Sequence, residues 1–479
     1  MSQYSFIIIV QKSKYPQMGA LYLSYALSQV NITTHIVDSN VSLKALDELI
    51  RQVDPIAVGC SVMTAPEIVD FIKISMHIQE KYNFSGKKIP VIWGGMHSTI
   101  VSGYTEKESY IDYVISGEAE ITLPAFLKDL LNGKLPEKKL IQAKTSSSLD
   151  DFRPMWEKID LSKYLFSEAH SVHSGCRNEK QHIFYYLLSS RGCPYRCNFC
   201  WEVARTKALK AESSSVDLTW RAHSAQWVRD QLDTIEASLK KQGLAMDGVG
   251  FWDDMIVGKG LPEHNARAKE IFNMMRQRNF GYLLEMRANQ LILTSDRWND
   301  AGVQREADLY KFLKETGCMQ VFVGTESGSQ ETLNLIQKGT KLEDYLRLVE
   351  ISHDVGLPLR FSMIVGFPDE SEQSINSTLD LIEKMEKEPF VSISGPKLFT
   401  PYPGTPQYEA AVRHGFEAPQ TTADWARINR YSDFRSFFPW LKKISNSTLS
   451  RIDHAFNNIN AEKKYQASEE TILNLVRGH

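Results

Sequence analysis

Residues 189–202 read SSRGCPYRCNFCWE and place Cys193, Cys197 and Cys200 at the spacing C-x3-C-x2-C. The run IFYYLLS at 183–189 precedes them and reads as a strand, so the thiols stand on a loop at a strand end. Soft thiolates so spaced suit an iron–sulfur cluster or zinc. Three cysteines with no fourth in reach suit a cubane with one iron left open. The same loop could form half of a zinc site with a distant ligand such as Cys176 or Cys318. The x3 spacing favours the cluster, because zinc knuckles open C-x2-C or C-x4-C.

From this loop, the pattern runs on as strands alternating with helices. Strands are expected at 183–189, 246–252, 280–287, 318–325, 358–365 and 391–396. Helices are expected at 222–240, 262–277, 304–316, 329–335, 342–354 and 373–385. Repeated βα units make an open or closed barrel, with functional residues at the C-terminal strand ends. Cys193, Asp253, Asp254, Arg287, Glu326 and Gly366 all fall there.

Upstream, FIIIV (6–10), THIVD (34–38), PIAVGCS (55–61), IPVIWGG (89–95) and Tyr113–Ser116 read as strands. Helical spacing at 19–30, 66–79 and 123–131 separates several of them, which implies a parallel sheet covered on both faces. Ligands of such sheets bind beyond the carboxyl ends of the strands. Candidate contacts there are Gly59, Ser61, Thr64, Gly94, Gly95, His97, Gly117 and Glu118. No GxGxxG and no P-loop follows the first strand, which argues against a dinucleotide.

The 479 residues suggest more than one core. A net charge of -3 does not call for nucleic acid as partner. The absence of a signal-like start or a long apolar window leads to the expectation of a cytoplasmic protein without transmembrane segments. Six cysteines, half of them within eight residues, mark a metal site, not a disulfide framework.

CxxxCxxC with Phe199 before the last cysteine resembles the signature of the radical SAM superfamily. VGFWDD (249–254), LLEMRAN (283–289), VGTESGS (323–329) with Lys338–Gly339, and MIVGFPDE (363–370) resemble its later strands. The resemblance implies SAM contacts from Phe199, Asp253, Asp254, Arg287, Glu326, Ser327, Ile364, Gly366 and Asp369. The family pattern GxIxGxxE finds Ser362 and Asp369 at its first and last positions, two departures. VIWGGMH (91–97) and YVISGEAE (113–120) resemble the cobalamin-binding domain that precedes the barrel in one class of the superfamily. Other cobalamin proteins carry Asp-x-His-x-x-Gly after the first strand; here VQKSKYPQMG (10–19) has no histidine.

The implied fold is α/β. A Rossmann-like, flavodoxin-type cobalamin domain (1–132), a linker (133–180), a radical SAM (β/α)6 partial barrel (181–397) and a small, mainly helical cap (398–479) are expected. The implied cofactors are a [4Fe–4S] cluster, S-adenosyl-L-methionine and cobalamin. The implied partners are a small-molecule or peptide substrate and a one-electron donor such as flavodoxin or ferredoxin. Reductive cleavage of SAM would give a 5′-deoxyadenosyl radical that removes a substrate hydrogen. The first expectation is methyl transfer from methylcobalamin to an unactivated carbon or phosphinate centre. The alternative is a cobalamin-using cyclase or rearrangement enzyme without net methyl transfer. The aromatics Trp425, Tyr431, Phe437 and Trp440 in the tail could shape the substrate pocket or pack as a cap.

Overall fold

The computed structural model describes residues 4–13, 15–83, 88–167, 183–210, 218–258, 261–291, 306–427 and 438–461. Cys176, Tyr431, Phe437 and the tail beyond residue 461, where a last helix is expected, lie outside the described residues.

The N-terminal sheet has the order β2-β1-β3-β4-β5-β6, from Tyr4–Val10 (β1), Ile32–Asp38 (β2), Val58–Ser61 (β3), Val91–Gly94 (β4), Tyr113–Ser116 (β5) and Leu140–Gln142 (β6). Every pairing is parallel. β1 shows why. Phe6, Ile8 and Val10 pack on one face, Ile7 and Ile9 on the other, and all are buried. A strand apolar on both sides needs helices on both sides. These are Met18–Ser28 (α1) and Thr122–Leu131 (α6) on the Phe6 face, with Leu43–Val53 (α2) and Ile68–Ile78 (α3) opposite. Gly95–Ile100 (α4) and Ser102–Thr105 (α5) are short helices after β4. The sequence reading did not include α2 or β6. Ser42 caps α2 by accepting from the Ala45 N–H at 3.2 Å. β6 falls in the stretch read as linker.

The second sheet has the order β15-β14-β13-β12-β11-β8-β7. Six of its strands are parallel neighbours: Ile183–Leu187 (β8), Gly248–Phe251 (β11), Gly281–Met286 (β12), Cys318–Glu326 (β13), Leu359–Val365 (β14) and Val391–Leu398 (β15). The short strand Phe166–Ser167 (β7) pairs antiparallel at the edge. Covering helices are Ala225–Lys241 (α8), Pro262–Arg278 (α9), Glu306–Glu315 (α11), Leu342–Val355 (α13) and Glu372–Met385 (α14), with Ala288–Leu291 (α10) and Gln330–Leu335 (α12) between strands. This is the (β/α)6 partial barrel expected. A small ribbon, Ser190–Gly192 (β9) with Trp220–Ala222 (β10), carries the start of the cysteine loop, and Trp201–Lys210 (α7) follows it. Pro406–Arg413 (α15) and Asn446–Ala461 (α16) complete a C-terminal helical region.

The two sheets meet at their carboxyl ends. Glu118 and Glu120, just after β5, pair with Arg191 of β9 at 3.1 and 2.8 Å, and Glu118 also pairs with Arg221 of β10. The Tyr22 hydroxyl and His223 Nε2 stand 3.0 Å apart, another link between α1 and the barrel.

Candidate active site

A cavity of about 650 Å³ lies where the two sheets face each other. One wall is the N-terminal domain: Gly59, Cys60 and Ser61 of β3, Gly94 at the end of β4 with Gly95 and Met96 just past it, and Gly117 and Glu118 after β5. The other is the barrel, with Tyr186, Arg191, Gly192, Trp201, Trp252 and Asp254.

The first wall gets its shape from missing side chains. Gly95 has φ +85°, and a Cβ there would sit 2.8 Å from the Val62 nitrogen. A Cβ on Gly59 would meet the Phe6 ring at 2.6 Å. The cavity also reaches down the sheet face between α1 and α6, along Ile8, Gly19, Leu23, Ile92, Ile115 and Leu123. A deep apolar slot opening at glycine-rich strand ends fits a corrin with its nucleotide tail. Gly59, Ser61, Gly94, Gly95 and Gly117 would hold it. No described residue lining this cavity is a histidine, whereas Tyr15 of the loop after β1 is one of them.

Two expected contacts do not reach the cavity. His97 is fully buried on α4, with Nδ1 3.0 Å from the Thr64 hydroxyl and its ring edge-on to Trp425. Burial lowers its pKa to about 3, so the ring is neutral. His97 and Thr64 thus contact each other inside the N-terminal domain rather than lining the cavity, and His97 Nε2 is buried without a hydrogen-bond partner. Glu118 does line the cavity, but its carboxylate is committed to arginines. Burial alone would raise its pKa; Arg191 and Arg221 hold it below the usual range.

The cysteine loop sits at the head of the barrel. Burial pushes the Cys193 thiol up to about 12, and the Cys200 thiol also rises. Thiolates in such a place need a cation or metal. Arg287 supplies one contact: Nη1 is 3.0 Å from Cys197 Sγ, and the guanidinium lies 4.0 Å from the Tyr195 ring centre. Among the described residues no group of three or more His, Cys, Asp or Glu side chains is gathered for a single ion. A cubane asks for something different, one thiolate on each of three irons. The soft donor set and the neighbouring guanidinium fit that group, with Cys193, Cys197 and Cys200 as its holders. Gly192 feeds this loop at φ +90°, and a Cβ there would meet the Thr219 carbonyl at 2.5 Å.

The later strand ends divide into two kinds. Asp254 lines the cavity, and burial followed by the nearby Glu202 raises it to about 7. Asp253 does not line it. It is buried and accepts from the Ser189 N–H at 3.0 Å and the Ser189 hydroxyl at 2.9 Å, so it clamps β11 to the end of β8. Glu326 takes φ +67° and accepts from Lys338 Nζ at 2.7 Å. Gly324 makes room for that pair: a Cβ would lie 2.7 Å from Glu326 Oε1 and 2.8 Å from Nζ. Ser327 is turned inward, 2.9 Å from the Thr378 hydroxyl. Phe199 packs on Phe367 at 5.6 Å, under the turn after β14, while Ile364 is half-buried on that strand.

At this turn two adjacent carboxylates part company. Asp369 is half-exposed and pairs with His414 at 2.6 Å. Its neighbour Glu370 folds back on the turn, accepting from the Gly366 N–H at 2.7 Å and the Phe367 N–H at 3.2 Å. The four-residue reach from Gly366 places the carboxylate under its own turn; the three-residue reach points Asp369 outward. The tail aromatics are also resolved in part. Trp425 and Trp440 are core side chains, and Trp440 Nε1 donates to the Gly366 carbonyl at 2.8 Å. Sequence reasoning missed the Glu202–Arg205 pair, which is bidentate at 2.8 Å beside the cavity. Its i,i+3 spacing was a signal, but only with a helix read there.

Glycine-lined strand ends face, across one cavity, the residues Gly192 and Trp201 that flank the three-thiol loop, which suits a two-cofactor enzyme whose chemistry is carried by bound groups. Residues 187–382 match the model of the radical SAM superfamily, and residues 4–127 match that of the B12 binding domain. The chain is a cobalamin-dependent radical SAM enzyme, with SAM, cobalamin and a [4Fe–4S] cluster as cofactors. A protein of Pyrococcus horikoshii described as an uncharacterized methyltransferase is 25% identical, over 83% of this chain and 78% of its own. The anaerobic magnesium-protoporphyrin IX monomethyl ester cyclase of Cereibacter sphaeroides is 21% identical, over 93% of this chain and 66% of its own. The cobalamin-dependent S-adenosylmethionine radical enzyme OxsB, with aqua-cobalamin and S-adenosylmethionine bound, shares the fold at a TM-score of 0.62 and 18% identity. That likeness covers 80% of this chain and 52% of OxsB. Among the described residues no helix is long and apolar enough to cross a membrane.

Proposed function

We propose that this enzyme cyclises or rearranges a small molecule by radical chemistry in the cavity between its domains, without net methyl transfer. One observation carries the reading: a single cavity is walled by the corrin-domain strand ends and by the barrel loops around the cysteines. The cyclase similarity, which spans 93% of the chain, moves the weight from the methyl-transfer expectation to its alternative. Methyl transfer stands as the second reading, favoured by the methyltransferase relative.

When bound, the cluster and SAM supply a 5′-deoxyadenosyl radical, and the corrin supplies a redox-active cobalt. The chain's own residues orient and exclude. Arg287 ties the cysteine loop to the segment before Gly339 through the Lys338 carbonyl. Lys338 and Glu326 neutralise each other in the buried barrel head, so an incoming SAM would meet a preset polar surface. Gly366, fixed by Glu370, and Ile364 would support its adenine. Asp254, poised near neutrality, can hold or release a proton at the cavity wall.

The test is anaerobic turnover of a cell extract with methyl-deuterated SAM, read by untargeted mass spectrometry. A changed product without label, accompanied by 5′-deoxyadenosine, is the expected result. A product carrying the labelled methyl group, with S-adenosylhomocysteine formed alongside, would replace this reading by methyl transfer. Electron paramagnetic resonance of the cob(II)alamin form should show no nitrogen splitting from a histidine below the cobalt.

A further inference from the structure

Tyr15, Tyr186 and Trp252 come together at the cavity from three separate places: the loop after β1, the end of β8 and the residue after β11. Tyr186 and Trp252 lie side by side on paired strands, centres 4.4 Å apart and tilted by 36°. Tyr15 stands nearly perpendicular to both, at 4.7 and 4.3 Å. Trp252 is 41% exposed, although it lines a cavity in a chain that buries most of its large apolar side chains.

Apart from Asp254, the charged groups nearby offer a substrate little. Glu118, Arg191, Arg205 and Glu202 are paired among themselves. Orientation of a ligand at this corner therefore falls to stacking and edge contacts. Tyr186 and Trp252 belong to the barrel wall, opposite the glycine strand ends that suit the corrin. A corrin is also a puckered ring with a saturated, amide-bearing rim, a poor match to an aromatic shelf. From this placement we infer that Tyr186 and Trp252 form a shelf, edged by Tyr15, that selects a substrate with a flat conjugated ring. The inference rests on the reading of this cavity as the reaction site and adds the substrate class to it.

The full-length protein, reconstituted with its cluster and loaded with hydroxocobalamin, would be titrated with protoporphyrin IX as a flat probe and with cholate as a saturated one. Tryptophan fluorescence and the Soret shift report binding. Trp252→Ala and Tyr186→Ala should each weaken porphyrin binding by about tenfold, and Trp252→Phe should stay within about threefold of the parent. Leu135→Ala, on an exposed loop residue remote from the cavity lining, should leave binding unchanged. Retention of cobalamin by each variant shows that the fold and the corrin wall are intact. Porphyrin binding insensitive to Trp252→Ala and Tyr186→Ala overturns the inference. So does displacement of cobalamin by the porphyrin, or cholate binding of equal strength and sensitivity. Formation of 5′-deoxyadenosine from SAM is scored on the same preparation. Its absence sinks the proposed radical function, whereas the probe titration decides the ring shelf on its own.

Discussion

The two cofactor sites on either side of the cavity are built by opposite means. The N-terminal wall is shaped by absent side chains, with Gly59, Gly94, Gly95 and Gly117 at the strand ends. The barrel head is shaped by charges held against one another, among them Glu326 with Lys338, Glu202 with Arg205 and Arg287 against Cys197. A large ligand with few charges needs room and close backbone approach, which glycine supplies. A cluster and a charged nucleoside need fixed charges at fixed places, and buried charges persist only when paired. The lesson is that the corrin site recognises by shape and the cluster-and-SAM site by electrostatics. The two should therefore fail separately.

The largest separation is expected at the thiols. Replacing Cys193, Cys197 or Cys200 by alanine should abolish SAM cleavage, with iron and sulfide counts collapsing after anaerobic reconstitution. Cobalamin binding, followed by absorbance, should persist. A cysteine variant that also loses cobalamin would break the comparison.

Next comes the buried ion pair. Lys338→Met leaves Glu326 without its partner and should destabilise the protein by about 3–5 kcal/mol in urea unfolding. If Glu326 relaxes to solvent, the loss will be far smaller and the pair is not the constraint its burial indicates. On the opposite wall, Gly95→Ala forces a side chain into φ +85° against Val62 and should cost about 1–3 kcal/mol. Cobalamin affinity should fall, while cluster content stays at the level of the parent protein. Loss of the cluster in this variant would show that the walls are coupled.

A subtler effect concerns pH. Burial raises Glu285, on β12, to about 7 from its ordinary value of 4.5. The folded form thus binds this proton more tightly than the unfolded chain. Its contribution to stability is present in full below about pH 4.5 and declines as pH rises toward 7. In cofactor-free protein, Glu285→Gln should leave the melting temperature unchanged at pH 4 and raise it relative to the parent at pH 8. Equal shifts at both pH values would contradict the assignment. The smallest effect is expected from His97→Gln, because His97 bonds Thr64 and not the cavity. Cobalamin affinity should stay within about threefold. A large loss would return His97 to the corrin wall.

Much of this was legible in the chain itself. The unbroken apolar run of β1 demands a sheet covered on both faces. The C-x3-C-x2-C spacing at a strand end specifies a soft metal group, and the later strand motifs place the barrel around it. These signals are local, because strand period and ligand spacing are written in neighbouring residues. α2 was missed although it carries a serine cap, and β6 is too short for its period to show.

Other assignments depended on distance in three dimensions. Asp253 and Asp254 are adjacent, yet one clamps Ser189 and the other faces the cavity, since successive side chains at a strand end point to opposite sides. Glu370, not Asp369, caps the turn after β14, because one residue of reach decides which carboxylate folds back on the backbone. The tail aromatics Trp425 and Trp440 turned out to be core, while Tyr15, Tyr186 and Trp252, up to 237 residues apart in sequence, meet at the cavity. Thiol spacing pointed to a soft metal group, and the strand motifs that carry the family resemblance implied SAM and cobalamin beside it. Which side chains face them was decided by the docking of two sheets end to end, an arrangement set by packing between segments that share no local pattern.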